Sequence, residues 1–463
     1  MSPFLRDLAR TTWGFTGYVS SDTDAISSSN NHHNYSHTPL EAVTYGLRDG
    51  RCDIESSVGG DNWYASYIAP FVKNGTLNES FVDDAIRDTF RVRLEAGLFD
   101  PMEGQYYPTI DTDDDAAADV EESKRDAIVL LQNHGAMLPL APGTHSVALI
   151  GPFASSYQAA LATANPGMAA TVVPGCDVSS SSTAGFAAAI AAAESAAVVI
   201  LCLGSDGTVE HEYHDRSNIT LPGVQAELAD RLLASPGIAA KSVVVLSIRG
   251  ALAIDSIKTR ARAILLAWEC DNDGSGGPIS TASMEAVFGV YSPGGRLPFT
   301  MYPSTYIEEA NFFEMSLTAG QGRTYKYFKG TPLWRFGWGL SYCNFTLSTE
   351  ANDTKLPLEL TATVAVGAGC QSFGAADEVL QVYFAPRWAS TDGSPVPIRQ
   401  LIDFARIKVP STTHDSAATA KFTVTSEQLA TITKAGERVV VPGKYQVLVT
   451  NGVANTNTFS IEI

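Results

Sequence analysis

The sequence is short of positive charge. It carries 31 Lys and Arg residues against 50 Asp and Glu residues, which gives a formal net charge of −19. Such a chain repels phosphate backbones and anionic headgroups, so we expect neither nucleic acid nor a membrane surface as a partner. The charge balance leaves neutral ligands open.

Long apolar runs are also lacking. The longest, Ala187 to Leu203, is interrupted by Glu194, which predicts no transmembrane helix. The first residues, MSPFLRDLARTTWGF, have no apolar core followed by small residues, and they do not resemble a secretory signal peptide. Six N-x-S/T sequons nevertheless favour a secretory history. They begin at Asn34, Asn74, Asn78, Asn218, Asn344 and Asn352.

Cysteine is sparse and lacks the spacing of a metal or redox motif. Six cysteines occur, none in a C-x-x-C pair, which excludes an ordinary zinc site and a thioredoxin-type motif. We expect most of them to be buried thiols and predict no metal and no cofactor. They are Cys52, Cys176, Cys202, Cys270, Cys343 and Cys370.

The length of 463 residues exceeds one ordinary domain, and the composition is that of a globular protein. The first hundred residues alternate strand and helix signals. The predicted strands are GYVSSD and CDIES, and the predicted helices run from Thr38 to Gly50, from Trp63 to Lys73 and from Ser80 to Ala96. Residues 101–122 are acidic, poor in large apolar side chains and typical of a linker.

From about residue 123 the pattern becomes that of a doubly wound α/β domain. Near-continuous apolar runs of strand length indicate a parallel sheet that is buried on both faces. Ligands of such sheets lie beyond the carboxyl ends of the strands. The runs are 146–151, 196–204, 241–248 and 261–269, with helical stretches at 184–195 and 223–234.

After about residue 346 apolar and polar residues alternate between turn residues. This pattern predicts an antiparallel β-sandwich. The clearest segments are LELTATVAV, EVLQVYFAP, AKFTVTS and KYQVLVTN.

Two acidic stretches follow strand ends. Asp22 ends the strand GYVSSD, at a position where barrel enzymes place catalytic groups, although position alone favours a simple turn cap, because Asp is a common turn residue. The second stretch, CLGSDGTVEHEYHDRSNITLPGVQAEL, follows the run 196–204; its alternative explanation is a solvated acidic loop. Two carboxylates delivered by two domains fit glycoside hydrolysis, which needs one nucleophile and one proton donor.

Four motifs in order resemble glycoside hydrolase family 3, in its β-xylosidase-like branch. They are GFTGYVSSDTDAI, VEHEYHDRSNITLPGVQ, YSPGGRLPFTMYP and GRTYKYFKGTPLWRFGWGLSY. The resemblance implies four parts: the tail of a (β/α)8 barrel over residues 1–100, a linker over 101–122, an α/β sandwich domain over 123–345 and a fibronectin type III-like domain over 346–463.

The resemblance also implies roles for individual residues. Asp22 matches the nucleophile, and Glu212 matches the acid/base, with Glu210 as its rival. Asp24, Glu210 and Arg216 are expected at the substrate site, and Asp215 with Arg216 is expected to shape the loop.

This sequence departs from the family pattern in two ways. Thr23 and Ser56 stand where xylosidase-type members are expected to carry a cysteine pair. Their presence removes a disulfide that would raise the free energy of unfolding by about 2–4 kcal/mol. Only 21 residues precede Asp22, whereas the family's nucleophile lies on about the seventh barrel strand. We therefore expect the first six barrel units, and the sugar-holding residues that they carry, to be absent from this chain.

The implied function is that of a retaining, exo-acting β-xylosidase that removes terminal β-xylosyl residues from xylo-oligosaccharides outside the cell. One alternative is a catalytically impaired remnant that binds carbohydrate or protein. Another is a β-glucosidase or an α-arabinofuranosidase of the same family. The sequence leaves the oligomeric state open.

Overall fold

The computed structural model describes residues 4–58, 62–105, 116–141, 146–211, 214–268, 280–311, 313–367, 370–410 and 416–463. The chain divides into two compact units, residues 1–114 and residues 115–463. Among the described residues, no helix is both long enough and apolar enough to cross a membrane.

The first unit is mostly helical. One helix begins at Thr38, as the sequence predicts, and the Thr38 hydroxyl accepts a hydrogen bond from the amide of Glu41. Another is capped by Asn62, which the sequence analysis did not single out and whose side chain accepts a hydrogen bond from the amide of Ala65. The helices are a π-helix at Leu5–Thr12, α1 at Ala25–Asn31, α2 at Pro39–Thr44, a second π-helix at Tyr45–Asp49, α3 at Trp63–Lys73 and α4 at Glu79–Glu95.

Two short extended segments of the first unit lie side by side. Ser20 and Ile54 form a parallel bridge, and the amide of Ser21 donates to the carbonyl of Ile54 at 2.8 Å. Each segment is followed by a helix, so the unit contains two strand–helix repeats in parallel. The side chains that pack around them include Ile26, Val43, Leu47, Trp63 and Tyr64.

Helix α4 carries an apolar stripe that remains exposed. Ile86, Phe90 and Leu94 follow the helical spacing of four residues, and their exposed fractions are 50%, 44% and 59%. The Phe90 ring stacks on Phe99, with 5.8 Å between the ring centroids. The buried residues of this helix are Ala85, Asp88 and Thr89, and Phe81 and Val82 pack against the apolar cluster while remaining partly buried.

The second unit contains a six-stranded sheet. The strand order is β1-β6-β5-β4-β2-β3, and every pair is parallel except β1 with β6. The prediction of a mainly parallel sheet is thus confirmed. The strands are β1 at Val129–Asn133, β2 at Ser146–Ile150, β3 at Ala169–Val173, β4 at Val198–Gly204, β5 at Ser242–Ile248 and β6 at Ala263–Trp268.

Helices cover both faces of this sheet, and an apolar core lies on each side of it. The central strands β4 and β5 are buried along their whole length, which explains their continuous apolar sequence. The helices are α5 at Ala116–Ala127, α6 at Ala154–Ala164, α7 at Phe186–Ser195, α8 at Gln225–Leu233, α9 at Pro236–Ala239, α10 at Asp255–Arg260, α11 at Ser280–Val287, α12 at Tyr306–Glu309 and α13 at Thr324–Tyr327.

Three elements of this unit differ from the sequence-based expectation. The sequence patterns missed β1 and β3, the two edge strands of the sheet. Strand β3 reads AATVV and is only partly buried, so it lacks the apolar contrast that marks the central strands. Helix α5 occupies the end of the segment that was expected to be a linker, because Ala, Glu and Lys in this stretch favour helix despite the acidic composition.

A β-sandwich ends the chain, as predicted. One sheet has the order β10-β9-β14-β15, a second has β11-β8-β7, and β12 pairs with β13. The strands are β7 at Phe345–Ala351, β8 at Leu358–Val366, β9 at Ala375–Pro386, β10 at Gln400–Pro410, β11 at Ala417–Val424, β12 at Thr431–Ile432, β13 at Arg438–Val439, β14 at Lys444–Thr450 and β15 at Thr456–Glu462.

The cysteines behave in two ways. Cys343 and Cys370 form a disulfide at the start of the sandwich, which the sequence analysis did not predict. Cys52, Cys176 and Cys202 are buried free thiols, as expected, and burial raises the pKa of the Cys52 thiol to about 11. Cys270 lies outside the described residues.

A buried ion pair joins the α/β part to the sandwich. The Arg296 guanidinium contacts the Glu378 carboxylate at the start of β9, and both side chains are almost fully buried. The same guanidinium donates to the carbonyl oxygens of Gly294, Gly295 and Asn451. Because burial outweighs the attraction of Arg296, the pKa of Glu378 is raised.

Candidate active site

The Asp22 side chain stands directly after the first extended segment of the first unit. The amide of Thr23 donates to Asp22 Oδ1 at 2.8 Å, and the amide of Ala25 donates to the Asp22 carbonyl oxygen at 3.1 Å. The side chain is exposed, so its second carboxylate oxygen is open to an incoming ligand. The predicted nucleophile therefore has a fixed position and an accessible oxygen.

Asp24 fastens the two extended segments to each other. Its amide donates to the Ser56 carbonyl oxygen at 2.8 Å, and its Oδ1 accepts a hydrogen bond from the amide of Val58 at 3.0 Å. Its backbone is left-handed, with φ of 58°, a conformation that Asp tolerates better than most residues. These contacts give Asp24 a structural task, and its expected contact with substrate stays a prediction.

Thr23 and Ser56 meet at the same place. Their hydroxyl oxygens, Oγ1 and Oγ, lie 3.1 Å apart, and the amide of Ser56 donates to Ser21 Oγ at 3.0 Å. The turn that carries Asp22 is thus tied to the neighbouring segment through side chains as well as backbone.

Asp53, an acidic residue that the sequence analysis did not single out, anchors the second extended segment. Asp53 Oδ2 accepts from the amide of Val19 at 2.9 Å and pairs with Arg10 at 2.5 Å. Arg10 also reaches Asp88 on α4 at 2.7 Å. Burial raises the pKa of Asp53 against the opposing effect of Arg10. In CDIES, Asp53 lies between the apolar residues Cys52 and Ile54. This local pattern does not predict which distant residues Asp53 contacts.

The second acidic stretch leaves the sheet at the end of β4. A Cβ at Gly204 would lie 1.7 Å from the Ser247 carbonyl oxygen, and φ there is 153°, so only glycine fits. The following residue, Ser205, is buried and donates through Oγ to Glu210 Oε1 at 2.8 Å. This hydrogen bond holds the loop close to the end of β4, where the loop begins.

Glu210 is occupied by structural contacts. Arg216 Nε donates to its Oε2 at 2.7 Å, and the amide of Gly250 donates to its Oε1 at 3.2 Å. Arg216 Nη2 in turn donates to the Ala251 carbonyl oxygen at 3.1 Å. The structure thus brings Glu210 and Arg216 together as a pair that holds the loop to the segment after β5.

The backbones of His211 and His214 pair with each other. The amide of His214 donates to the His211 carbonyl oxygen at 2.9 Å, and the reverse bond measures 3.3 Å. The two imidazole rings are 5.3 Å apart between centroids. Glu212 lies between them in sequence but outside the described residues, so its predicted role as acid/base stays a prediction.

A hollow of about 280 Å³ adjoins this histidine pair and is called the loop hollow below. Its lining combines imidazole, carboxylate and guanidinium groups, which suits a ligand with many hydroxyls. The lining residues are Glu210, His211, His214, Asp215, Arg216, Arg249 and Gly250.

Family models match both parts of the second unit. Residues 128–342 match the glycosyl hydrolase family 3 C-terminal domain, and residues 378–453 match a fibronectin type III-like domain. The chain belongs to glycoside hydrolase family 3 and corresponds to the C-terminal part of its members.

Two of the curated relatives are named as xylosidases. A probable exo-1,4-beta-xylosidase of Aspergillus terreus is 31% identical over 97% of this chain and 60% of its own length. A probable beta-D-xylosidase of Arabidopsis thaliana is 32% identical over 76% of this chain and 46% of its own length. The chain thus spans between about half and three fifths of these two curated relatives.

Solved structures agree on the fold. A family 3 exo-beta-xylosidase in complex with a xylobiose aziridine activity-based probe superposes with a TM-score of 0.83 at 27% identity, over 99% of this chain and 63% of that one. A β-glucosidase of Erythrobacter marinus superposes with a TM-score of 0.79 at 23% identity, over 100% of this chain and 65% of that one. Enzymes named for xylosides and for glucosides therefore share this architecture.

Proposed function

We propose that this chain is the C-terminal part of a retaining, exo-acting β-glycosidase that removes terminal β-xylosyl residues from xylo-oligosaccharides. The observation that carries the proposal is the exposed Asp22 carboxylate, held by the Thr23 amide at the end of a parallel-paired segment. The family membership and the xylosidase-named relatives support the same reaction class.

In this proposal Asp22 is the nucleophile. Its free oxygen attacks the anomeric carbon while the bond to the leaving oxygen breaks, and a covalent glycosyl-enzyme results. Water then attacks the same carbon from the face opposite Asp22, where the leaving group departed, and the bond to Asp22 breaks, so the anomeric configuration is retained. The hydrogen bond from Thr23 to Oδ1 keeps the carboxylate oriented for both steps.

Glu212 is proposed as the acid/base. It donates a proton to the leaving oxygen in the first step and removes one from the attacking water in the second. Its rival Glu210 already accepts hydrogen bonds from Ser205, Gly250 and Arg216. These contacts occupy both carboxylate oxygens of Glu210, which suits a loop anchor better than a proton donor. No cofactor is needed, because two carboxylates suffice.

The substrate is proposed to be β-xylosyl rather than β-glucosyl. The xylosidase-named relatives support this choice. An extracellular location and glycosylation at the sequons belong to the same proposal.

A second candidate is a non-catalytic protein that binds carbohydrate or another protein. The exposed stripe of Ile86, Phe90 and Leu94 favours it, because large adjoining apolar side chains mark contact surfaces. In that case the two units would fold without forming a working pair of carboxylates.

Hydrolysis of aryl β-xyloside, aryl β-glucoside and aryl α-arabinofuranoside distinguishes these proposals. The assays use the 463-residue chain and a fusion in which the N-terminal part of the Aspergillus terreus relative precedes it. We expect the fusion to prefer the xyloside and the chain alone to be inactive. A preference of the fusion for glucoside or arabinoside contradicts the proposed substrate, and an inactive fusion favours the second candidate.

A further inference from the structure

A second hollow lies beside the loop hollow in the same unit. It is called the tyrosine hollow here and has a volume of about 850 Å³. The two hollows share Asp215 and Arg216, so they adjoin on either side of one short stretch of the acidic loop. The other walls come from the segments around Leu252, Tyr302, Tyr306, Asn311 and Arg323.

A stack of aromatic rings forms one wall of this hollow. Tyr302 and Tyr306 are parallel, with 4.0 Å between centroids and 8° between planes. The Phe328 ring packs edge-on against both of them. Both tyrosines are only half-buried, so part of the stack remains open to the hollow.

Hydrogen bonds hold the stack in place. The amide of Thr324 donates to Tyr302 Oη at 2.7 Å, and the Tyr306 hydroxyl donates to the Gly322 carbonyl oxygen at 3.1 Å. The rings are therefore preorganised, and a ligand would not bear the entropic cost of ordering them.

Polar groups complete the lining. Asp215, Asn311 and Arg323 are among the lining residues, and Arg323 donates to the Asn311 carbonyl oxygen at 2.6 Å. An apolar wall with a few fixed polar groups is the usual make-up of a small-molecule site, and the volume lies within the usual range for such sites.

We propose that the tyrosine hollow binds the leaving-group side of a β-1,4-linked xylo-oligosaccharide. A xylosyl ring has apolar C–H faces, which can lie on the tyrosine wall, and equatorial hydroxyls, which can meet the polar lining. The inference rests on the proposed function, because it takes Glu212 as the residue that protonates the leaving oxygen.

The position of the hollow along the acidic loop supports this assignment. Glu212 precedes Asp215 by three residues, and three residues of chain span at most about 10 Å. The sugar released by protonation is attached to the oxygen that receives the proton. Further sugars on that side therefore continue away from Glu212, and the tyrosine hollow begins within the length of a few rings.

Binding by the 463-residue chain tests the proposal directly. Titration calorimetry with xylotetraose is run on the wild type, on Tyr306→Ala and on Tyr306→Phe. The expected result is an affinity about tenfold lower for Tyr306→Ala, since one aromatic contact is worth up to about 1.5 kcal/mol. Tyr306→Phe keeps the ring and should bind like the wild type.

Two further variants keep the test decisive. Ala310→Trp places a bulky ring at the lining of the hollow and should abolish binding without removing the stack. Phe404→Ala is the matched control, because Phe404 is an exposed aromatic side chain on β10 that does not line the hollow. Absence of xylotetraose binding by the wild type, or equal affinity in all variants, overturns the proposal.

The fusion separates this inference from the proposed function. In active fusion protein, Tyr306→Ala should lower the ratio of kcat/KM for xylotetraose to kcat/KM for aryl xyloside about tenfold. An unchanged ratio in active protein overturns the subsite alone. A fusion that hydrolyses no glycoside overturns the proposed function alone, and the calorimetric result then still decides the subsite.

Discussion

Thr23 Oγ1 lies 3.1 Å from Ser56 Oγ, and this contact joins the turn of Asp22 to the neighbouring extended segment. Family members of the xylosidase type are expected to carry cysteines at these two positions. In this chain two hydroxyls make the contact at these positions.

The Thr23→Cys/Ser56→Cys double variant should form a disulfide. The closed loop covers a separation of 33 residues, for which about 2–4 kcal/mol of stabilisation is typical. Thermal unfolding with and without reductant measures the gain, and thiol titration measures closure. The single variant Thr23→Cys is the control. A double variant that keeps both thiols under oxidising conditions contradicts the expected geometry.

Asp22→Ala in the fusion should abolish turnover of aryl xyloside, because no glycosyl-enzyme can form. Asp24→Asn is the matched comparison, since it keeps an oxygen that can accept from the Val58 amide. We expect Asp24→Asn to retain much more activity than Asp22→Ala. Equal loss in both variants would show that the nucleophile is assigned to the wrong carboxylate.

Glu212→Ala and Glu210→Gln should differ in their dependence on the leaving group. Loss of the proton donor slows poor leaving groups strongly and activated ones much less. Glu210→Gln weakens the contact with Arg216 and displaces the loop, which should slow all leaving groups alike. A series of aryl xylosides with graded leaving-group pKa measures both slopes, and exchanged slopes would move the acid/base to Glu210.

Arg296→Met should destabilise the second unit in a manner that depends on pH. It leaves the Glu378 carboxylate buried without its partner, which costs about 3–5 kcal/mol at neutral pH. The pKa of Glu378 is raised already, so its protonated form is favoured by folding. The contribution of protonated Glu378 to the free energy of unfolding is present below its ordinary pKa of about 4.5. It is lost as the pH rises through the pKa that Glu378 has in the folded protein.

The deficit of Arg296→Met should therefore shrink as the pH falls from neutral towards about 4.5. Urea unfolding at several pH values measures this trend. Glu378→Gln is the control, because a neutral side chain of the same shape removes the titration. A deficit that stays constant over this range would argue that Glu378 contributes no titration to stability.

Limited proteolysis of the 463-residue chain should cut residues 12–100 first. The α4 stripe leaves Ile86, Phe90 and Leu94 exposed, so this unit buries little apolar surface on that helix. The second unit has apolar cores on both faces of its sheet and in its sandwich. Mass spectrometry of the fragments locates the cuts. Equal protection of both units would show that the first is stable without further cover.

Local sequence patterns identified most elements that hold the candidate site. The polar cap Thr38 lies before a helix where the sequence places it, and the runs of β4 and β5 are buried as expected. Such elements are readable because periodicity and capping depend on neighbours within a few residues. The two motif-bearing loops were recognised from residue order in the same way.

Contacts between distant residues decided the rest. The pairing of Arg10 with Asp88 spans 78 positions, and the hydrogen bond from Trp334 to the Leu131 carbonyl oxygen spans 203. The sequence by itself determined which segments are helix, central strand or acidic loop, because each carries its own pattern of burial. The tertiary structure alone decided which carboxylates are held as anchors and which rings line a hollow, because those properties depend on the partner that packing brings within a few ångströms.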